Sequence, residues 1–247
     1  MQKTKIDWAD YSWNPFKGRC PVRCSLPDGR IYCYGHKLYD RFEWMEEGTG
    51  DYGAFAEYEL SEPARVKKPS KIFVCSTFEL FYAKASKPSM TNLFEFERRE
   101  IFQVIEDNPQ HTFIILTKYP ENIDRPVPKN VWLGISAGDD RKKGIDRMHD
   151  FVTYILWGSK NKEVHFLSLE PLLYSYIADI SFEKFFPYFG WIIVGRLTGF
   201  GKEFDPPRED IQRIVDACDQ LQIPIFLKNN LKGIWGEDLI QQYPGLF

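Results

Sequence analysis

What the chain lacks narrows its nature first. No apolar run approaches the length of a membrane-crossing helix, and MQKTKIDWADY at the N-terminus carries charge without the apolar core of a leader peptide. The expectation is a cytoplasmic protein with no membrane partner. Neither sign of charge is in excess. With 32 Lys and Arg against 35 Asp and Glu, the net charge is -3, which excludes a polycationic surface and leaves only a local basic groove as a route to nucleic acid. No Ser/Gly linker, composition break or internal repeat divides the chain, so residues 1–247 read as one domain. Cysteine is scarce and odd in number, five in all, with three of them inside RCPVRCSLPDGRIYCYGHK. That pattern suits a metal or redox site in a reducing compartment better than a secreted disulfide framework.

What is present supports a large core. Hydrophobic residues make up 43% of the chain and aromatic residues 16%, enough for a domain of α/β-barrel size. Strand-length apolar runs recur: KIFVCS (71–76), TFIILTK (112–118), NVWLGISA (130–137), VHFLSLE (164–170), GWIIVG (190–195) and IPIFLKN (223–229). Helix-sized segments follow several of them, with helical spacing of Leu93, Phe94, Ile101, Val104 and Ile105, then in MHDFVTYILWG and in DIQRIVDACDQL. Strands apolar on both faces, alternating with helices, predict parallel βαβ units. A further strand around Tyr11 to Phe16 brings the count to about seven. The fold class is therefore α/β, a partial or open TIM-like (β/α) barrel, with a doubly wound sheet as the competing architecture. Residues 43 to 68 read as an irregular excursion.

In either architecture the functional edge is where strands lead into helices. Polar residues gather there: Ser76, Thr77 and Glu79, then Thr117 and Lys118, Ser136 and Asp139, Ser168 and Glu170, Arg196 and Thr198, and finally Lys228, Asn229 and Asn230. Polarity at one strand end is ordinary. Its recurrence at every one makes the edge a candidate site, because each buried polar group needs a partner.

Cys20, Cys24 and Cys33 follow the first predicted strand at the same edge. Three thiolates leave one position open on a tetrahedral metal or on one corner of a four-iron cluster. His36 offers the alternative of a closed Cys₃His zinc site, and Lys17, Arg19, Arg23, Arg30 and Lys37 around the loop suit a zinc-stabilised nucleic-acid-binding module. Arg19 and Arg23 flank the thiols and would favour thiolate. Pro27-Asp28-Gly29 supplies a turn between Cys24 and Cys33. Cys75 and Cys218 read as packing residues, His111 and His165 as structural, and Trp8, Trp13, Trp132, Trp157 and Trp191 as core.

C-PVR-C followed by I-Y-C resembles the radical S-adenosylmethionine (SAM) motif CxxxCxΦC, interrupted by the hexapeptide SLPDGR. TKIDWADYSWNPFKG, KIFVCSTFELF, HTFIILTKYPENI, NVWLGISAGDD, VHFLSLEPLL, GWIIVGRLTG and IPIFLKN resemble, in order, the blocks of the phage Gp37/Gp68-type family (DUF5131), a radical-SAM-like group. Two departures stand out. Cys33-Tyr34-Gly35 replaces a CYA-like block, and Gly195-Arg196-Leu197-Thr198-Gly199 replaces GGESG. The resemblance implies a [4Fe-4S] cluster on Cys20, Cys24 and Cys33, with SAM on the fourth iron. It also implies an external one-electron donor and hydrogen abstraction from a small-molecule or nucleic-acid substrate. It places Ser76, Thr77, Glu79 and Lys118 at the methionine end of SAM, Ser136, Ser168 and Glu170 at the ribose, and the backbone at Val194 and Gly195 at the adenine. Arg196, Lys228 and Asn229 would then meet substrate. A barrel that has kept its fold and lost the chemistry is the remaining alternative.

Overall fold

The computed structural model describes residues 1–26, 28–42, 53–82, 94–157, 164–173 and 182–245. They fall into two compact units, Met1–Asn122 with Val127–Trp132, and Ile123–Pro126 with Leu133–Phe247.

The first unit is built on β1 (Gln2–Lys3), β2 (Tyr11–Trp13), β5 (Lys71–Val74) and β6 (Thr112–Thr117). β1 runs antiparallel to β2, whereas β2, β5 and β6 are mutually parallel, with Ser12 opposite Phe73 and Phe73 opposite Ile114. A separate pair, β3 (Phe16–Lys17) and β4 (Ala54–Phe55), is antiparallel. α1 (Tyr34–Arg41), α2 (Glu62–Arg65) and α3 (Glu95–Asp107) complete the unit. Parallel strands covered on both faces demand apolar residues throughout, and Ile72, Val74, Phe113, Ile114 and Ile115 are all buried. α3 turns Arg98, Ile101, Phe102 and Ile105 inward, the i, i+3, i+4, i+7 stripe expected of a packed helix.

In the second unit β7 (Val131–Ser136), which belongs to it from Leu133 on, β8 (Val164–Leu169), β9 (Trp191–Val194) and β10 (Ile225–Leu227) lie in that order. β8, β9 and β10 are parallel. Gly134 is needed where it stands, because a Cβ there would lie 2.5 Å from the Phe166 ring. α4 (Arg141–Trp157), α5 (Phe182–Phe185), α6 (Arg208–Leu221) and α7 (Lys232–Trp235) follow. α6 buries Ile211, Ile214, Val215 and Cys218, carries Glu209 and Asp210 in its first turn, and ends at Gln222 in the left-handed region.

The fold is therefore mixed α/β with mostly parallel strands, and each of the seven strands read from the sequence is present. Three details differ from the sequence reading. α4 begins at Arg141 rather than Met148, because Asp140 caps it through the Lys143 N–H at 2.9 Å. Residues 53–68, the described part of the expected excursion, hold β4, a 3-10 turn at Glu57–Ser61 and α2; residues 43–52, like Pro27 and Leu93, lie outside the described residues. Trp157 is 84% exposed at the end of α4, while Trp8, Trp13, Trp132 and Trp191 are core. Among the described residues no helix is long and apolar enough to cross a membrane.

Glu59 ties several parts of the first unit together. Its carboxylate accepts from Lys17 Nζ at 2.8 Å and from the Met1 amine at 2.5 Å, and its carbonyl accepts from Trp13 Nε1 at 2.9 Å. Burial pushes the Glu59 carboxyl up, but the hydrogen bonds from Lys17 and the terminal amine prevail and leave it lowered. A depressed carboxyl stabilises the fold above its unfolded pKa and loses that contribution as pH falls through its folded value. Glu59→Gln should therefore unfold at lower urea than the parent at neutral pH. The gap should close as pH is lowered through the acid range.

Candidate functional site

The thiol loop leaves β3 and returns at the N-terminus of α1. Gly18, with φ of 92°, turns the chain, and its N–H donates to the Tyr39 hydroxyl at 2.7 Å. Cys20 is buried, and its sulfur accepts from the Val22 N–H at 3.4 Å. His36 reaches back from α1, its Nε2–H donating to the carbonyls of Cys20 at 3.0 Å and Val22 at 3.3 Å. Both partners are acceptors, so this nitrogen carries a proton and does not serve as a metal ligand.

The described residues of the inserted hexapeptide pair as the arms of a short hairpin. Ser25 bridges Ile31 in antiparallel fashion, the Leu26 N–H donates to the Arg30 carbonyl at 2.9 Å, and the Tyr32 N–H donates to the Cys24 carbonyl at 3.2 Å. Gly29, at φ 86°, closes the tip, and Asp28 accepts from the Arg30 backbone N–H at 3.0 Å. Cys24 is thereby held opposite Tyr32, next in the chain to Cys33.

Cys33 is the N-cap residue of α1. Its sulfur makes no well-formed capping bond, yet the Gly35 and His36 N–H groups lie close enough to stabilise negative charge on it. Cys24 is the largest influence; burial opposes it, the helix N–H groups and the His36 charge assist it, and the Cys33 thiol falls to about 6. Cys20 moves the other way. Burial drives it up to about 12, the Val22 N–H resists, and the charges of Glu79 and Cys33 add to the rise. The positive potential at Cys33 thus has a different origin from the flanking arginines expected from the sequence. Arg19 is engaged by Asp40 at 2.5 Å, and Arg23 is exposed.

Strand ends of the first unit back this loop. Cys75, buried and left-handed at φ 55°, ends β5 and leads into Ser76 and Thr77. Asn14 Oδ1 accepts from Ser76 Oγ at 3.1 Å and from the Thr77 N–H at 3.3 Å. α1 sits directly on this turn. A Cβ at Gly35 would lie 3.0 Å from the Thr77 carbonyl oxygen. Glu79, almost wholly buried, joins β5 to β6: Oε1 accepts from Thr117 Oγ1 at 2.6 Å and the Phe81 N–H at 3.1 Å, and Oε2 from the Lys118 N–H at 2.9 Å. Its carboxyl is raised by burial, against the opposing pull of those donors.

The strand ends of the second unit hold a different set. Ser136 and Ser168 are buried, and Ser136 Oγ lies 3.5 Å from the Glu170 carbonyl. Arg147 donates to the Ser136 carbonyl at 2.9 Å and pairs with Asp139 at 2.6 Å. Glu170 pairs with Lys228 at 2.5 Å, and a Cβ at Gly195 would meet the Glu170 carboxylate at 2.9 Å and Lys228 Cδ at 3.0 Å. Glycine there lets the ion pair lie across the backbone. Arg196 pairs with Asp205 at 2.8 Å and donates to the Asn230 carbonyl at 2.7 Å, while Asn230 Nδ2 returns a bond to the Arg196 carbonyl at 3.1 Å. Asn229 accepts from Gln241 at 3.3 Å. Asn14, Tyr39, Arg147 and Asp205 were not singled out from the sequence, although the Asn-Pro step at Asn14 did stand in the opening block.

Among the described residues no group of three or more His, Cys, Asp and Glu side chains is set to hold a metal ion. Cys24 is the strongest influence on Cys33, and the charge of Cys33 in turn raises Cys20. The remaining three histidines pack or bond away from the thiols: His111 Nε2 donates to the Pro63 carbonyl at 3.2 Å, His165 packs on Phe151 with centroids 5.6 Å apart, and His149 meets the Phe185 ring edge-on at 5.0 Å.

A mixed α/β protein with a thiol loop at the polar ends of its strands is the class this geometry defines. Residues 3–243 match the family described as "Protein of unknown function (DUF5131)", and the chain belongs to that family. No curated protein and no solved structure matches it.

Two outcomes follow from the titration behaviour. Iodoacetamide should label Cys33 with a rate that is half-maximal near pH 6, while Cys20 stays unlabelled through neutral pH, read from tryptic peptides. Glu79→Gln turns an amide N–H₂ toward a buried donor and should cost about 1–3 kcal/mol in urea unfolding. Because burial raises the Glu79 carboxyl, its contribution is full below the unfolded pKa and is lost as pH rises through the folded value. The difference between parent and variant should therefore be largest at acid pH.

Proposed function

We propose that this chain is a radical SAM enzyme, with Cys20, Cys24 and Cys33 as the three ligands of a [4Fe-4S] cluster. One observation carries the reading. The hairpin formed by residues 25–31 pairs Cys24 with Tyr32, so the chain re-enters the loop where it left it. Omitting the hexapeptide leaves CPVRCIYC, which has the spacing of the radical SAM motif. Thiolate is the donor type that an iron-sulfur cluster takes, and three sulfurs would leave one iron for an exchangeable ligand; as they stand the three side chains are not set for a metal ion, so ligation would have to draw the loop together. Bound there, the cluster would supply the electron for reductive cleavage of SAM and, through it, hydrogen abstraction from substrate.

The chain's own residues serve this reading in separable ways. The N–H groups at the start of α1 favour thiolate at Cys33, and His36 holds the Cys20–Val22 backbone against the helix. Ligation would take the thiol protons of Cys20 and Cys24. At the end of β5, Thr77 Oγ1 has no hydrogen-bond partner among the described residues and is the group best placed to receive the amino end of SAM. Glu79 already accepts three hydrogen bonds from the protein, so its contribution there is to fix the ends of β5 and β6. Lys118 and Ser76 keep the methionine-end roles that the resemblance gives them. Ser136, Ser168, Glu170 and Gly195 keep the nucleoside roles, and Arg196, Lys228 and Asn229 the substrate roles. A partial (β/α) barrel belongs to the same reading.

With its Nε2–H given to two carbonyls, His36 would offer a metal only Nδ1, so metal analysis separates the cluster from a closed Cys₃His zinc site. Anaerobic reconstitution with iron and sulfide should give a chain with iron and sulfide in equal amounts and a reduced EPR signal that SAM perturbs. Reduced protein should convert SAM to 5′-deoxyadenosine, and Cys33→Ser should abolish both. Uptake of zinc alone would overturn the proposal. A loaded cluster that never cleaves SAM would leave a scaffold without the chemistry.

A further inference from the structure

We propose that the exposed face of α1, with the basic segment around it, binds single-stranded nucleic acid. The binding belongs to the surface of the metal-free chain and does not rest on the cluster; joined to the reading above, it makes a nucleic acid the substrate class.

Charge is the first observation. Residues 17–42 hold six Lys and Arg against two Asp, in a chain whose net charge is -3, so the remainder of the chain is acidic. Both aspartates are engaged from within the segment, Asp40 by Arg19 at 2.5 Å and Asp28 by Arg30 at 2.7 Å. Arg23, Lys37 and Arg41 are exposed in addition to those pairs. Positive charge gathered on one segment of an acidic chain favours a polyanion as partner.

The second observation is how α1 divides its residues. Gly35, His36 and Tyr39 are buried, whereas Tyr34, Lys37 and Arg41, at i, i+3 and i+7, share one face and are exposed. Tyr34 is 69% exposed. Another open ring stands at the start of the segment, where Tyr58 is 71% exposed and Lys17 Nζ lies 5.8 Å from its centroid. Open rings beside cations give a base a face to stack on and its phosphate a countercharge. The exposed residues of α1 are Tyr34, Lys37, Asp40 and Arg41, with no aliphatic side chain among them to enter a lipid surface. Stacking on Tyr34 also needs a base with an uncovered face, which a single strand offers and a duplex does not.

Full-length, metal-free protein is titrated into fluorescein-labelled oligothymidylate of about 15 nucleotides, with binding read by anisotropy. Affinity should fall as salt rises, with a log–log slope of about -2 for three phosphate contacts, and Arg41→Ala should make that slope shallower by about 0.7. Tyr34→Ala should weaken binding by about fivefold or more, while Tyr34→Phe, which keeps the ring, should bind as the parent does. Because these side chains are exposed, urea unfolding of each variant should stay close to that of the parent. Binding that ignores salt, that is unmoved by both alanine variants, or that is equalled by a duplex, by polyglutamate or by phosphatidylserine vesicles would overturn the proposal. A chain that binds the strand but takes up no cluster keeps this inference and loses the previous one. A chain that takes up the cluster and cleaves SAM without binding the strand does the reverse.

Discussion

The thiol loop depends on the two hydrogen bonds that His36 donates to the carbonyls of Cys20 and Val22. A buried imidazole on the first turn of α1 holds a segment that has no regular structure of its own. In doing so it fixes where Cys20 lies relative to Cys33, the residue that begins the same helix. Helix and loop are in turn seated on β5, because Gly35 lets α1 approach the Thr77 carbonyl and Asn14 holds the Ser76–Thr77 turn to the end of β2. The chain of contacts runs from strand to turn to helix to sulfur. Replacing any link by a larger or apolar group moves the thiols rather than a distant surface.

Within that frame, one short loop gives two sulfurs opposite chemistry. Cys20 points into the unit and pays the desolvation of a buried anion, while Cys33 is lowered by Cys24 and by the positive end of a helix. The difference is one of position and not of sequence neighbours, since both residues are flanked by basic and aromatic residues within a few positions. Arg19, the nearest cation in sequence to Cys20, is turned to Asp40. Proximity along the chain is a poor guide to the potential a thiol experiences.

The strands and most helices were legible because their physical signal is long. Runs such as TFIILT and VWLGIS are apolar on both faces, and α3 and α6 show a helical stripe over several turns. β1, β3 and β4 are two residues each and carry no period to read. The start of α4 was missed because RKKGIDR looks like a charged connection, and only the Asp140 cap makes it the first turns of a helix. In the candidate site, residue types were legible and partnerships were not. His36 looks like a ligand from its spacing to three cysteines, and only the two carbonyls at its Nε2 assign it to holding backbone. Asn14, Tyr39 and Asp205 act on residues 62, 21 and 9 positions away in sequence, respectively.

The polar strand ends of the two units differ in what they leave available. At the second unit's edge Arg147, Arg196 and Lys228 each face a carboxylate, from Asp139, Asp205 and Glu170. Partly exposed pairs of this kind add little net stability, but they fix side chains that would otherwise explore many rotamers, and each of these three cations is matched by a carboxylate. At the first unit's edge the carboxylate of Glu79 is satisfied by hydroxyl and backbone donors alone, with burial raising its pKa. There the charge most readily developed is on sulfur, at Cys33. The two edges thus differ in kind: paired hard charges at the second unit and a soft, ionisable sulfur at the first.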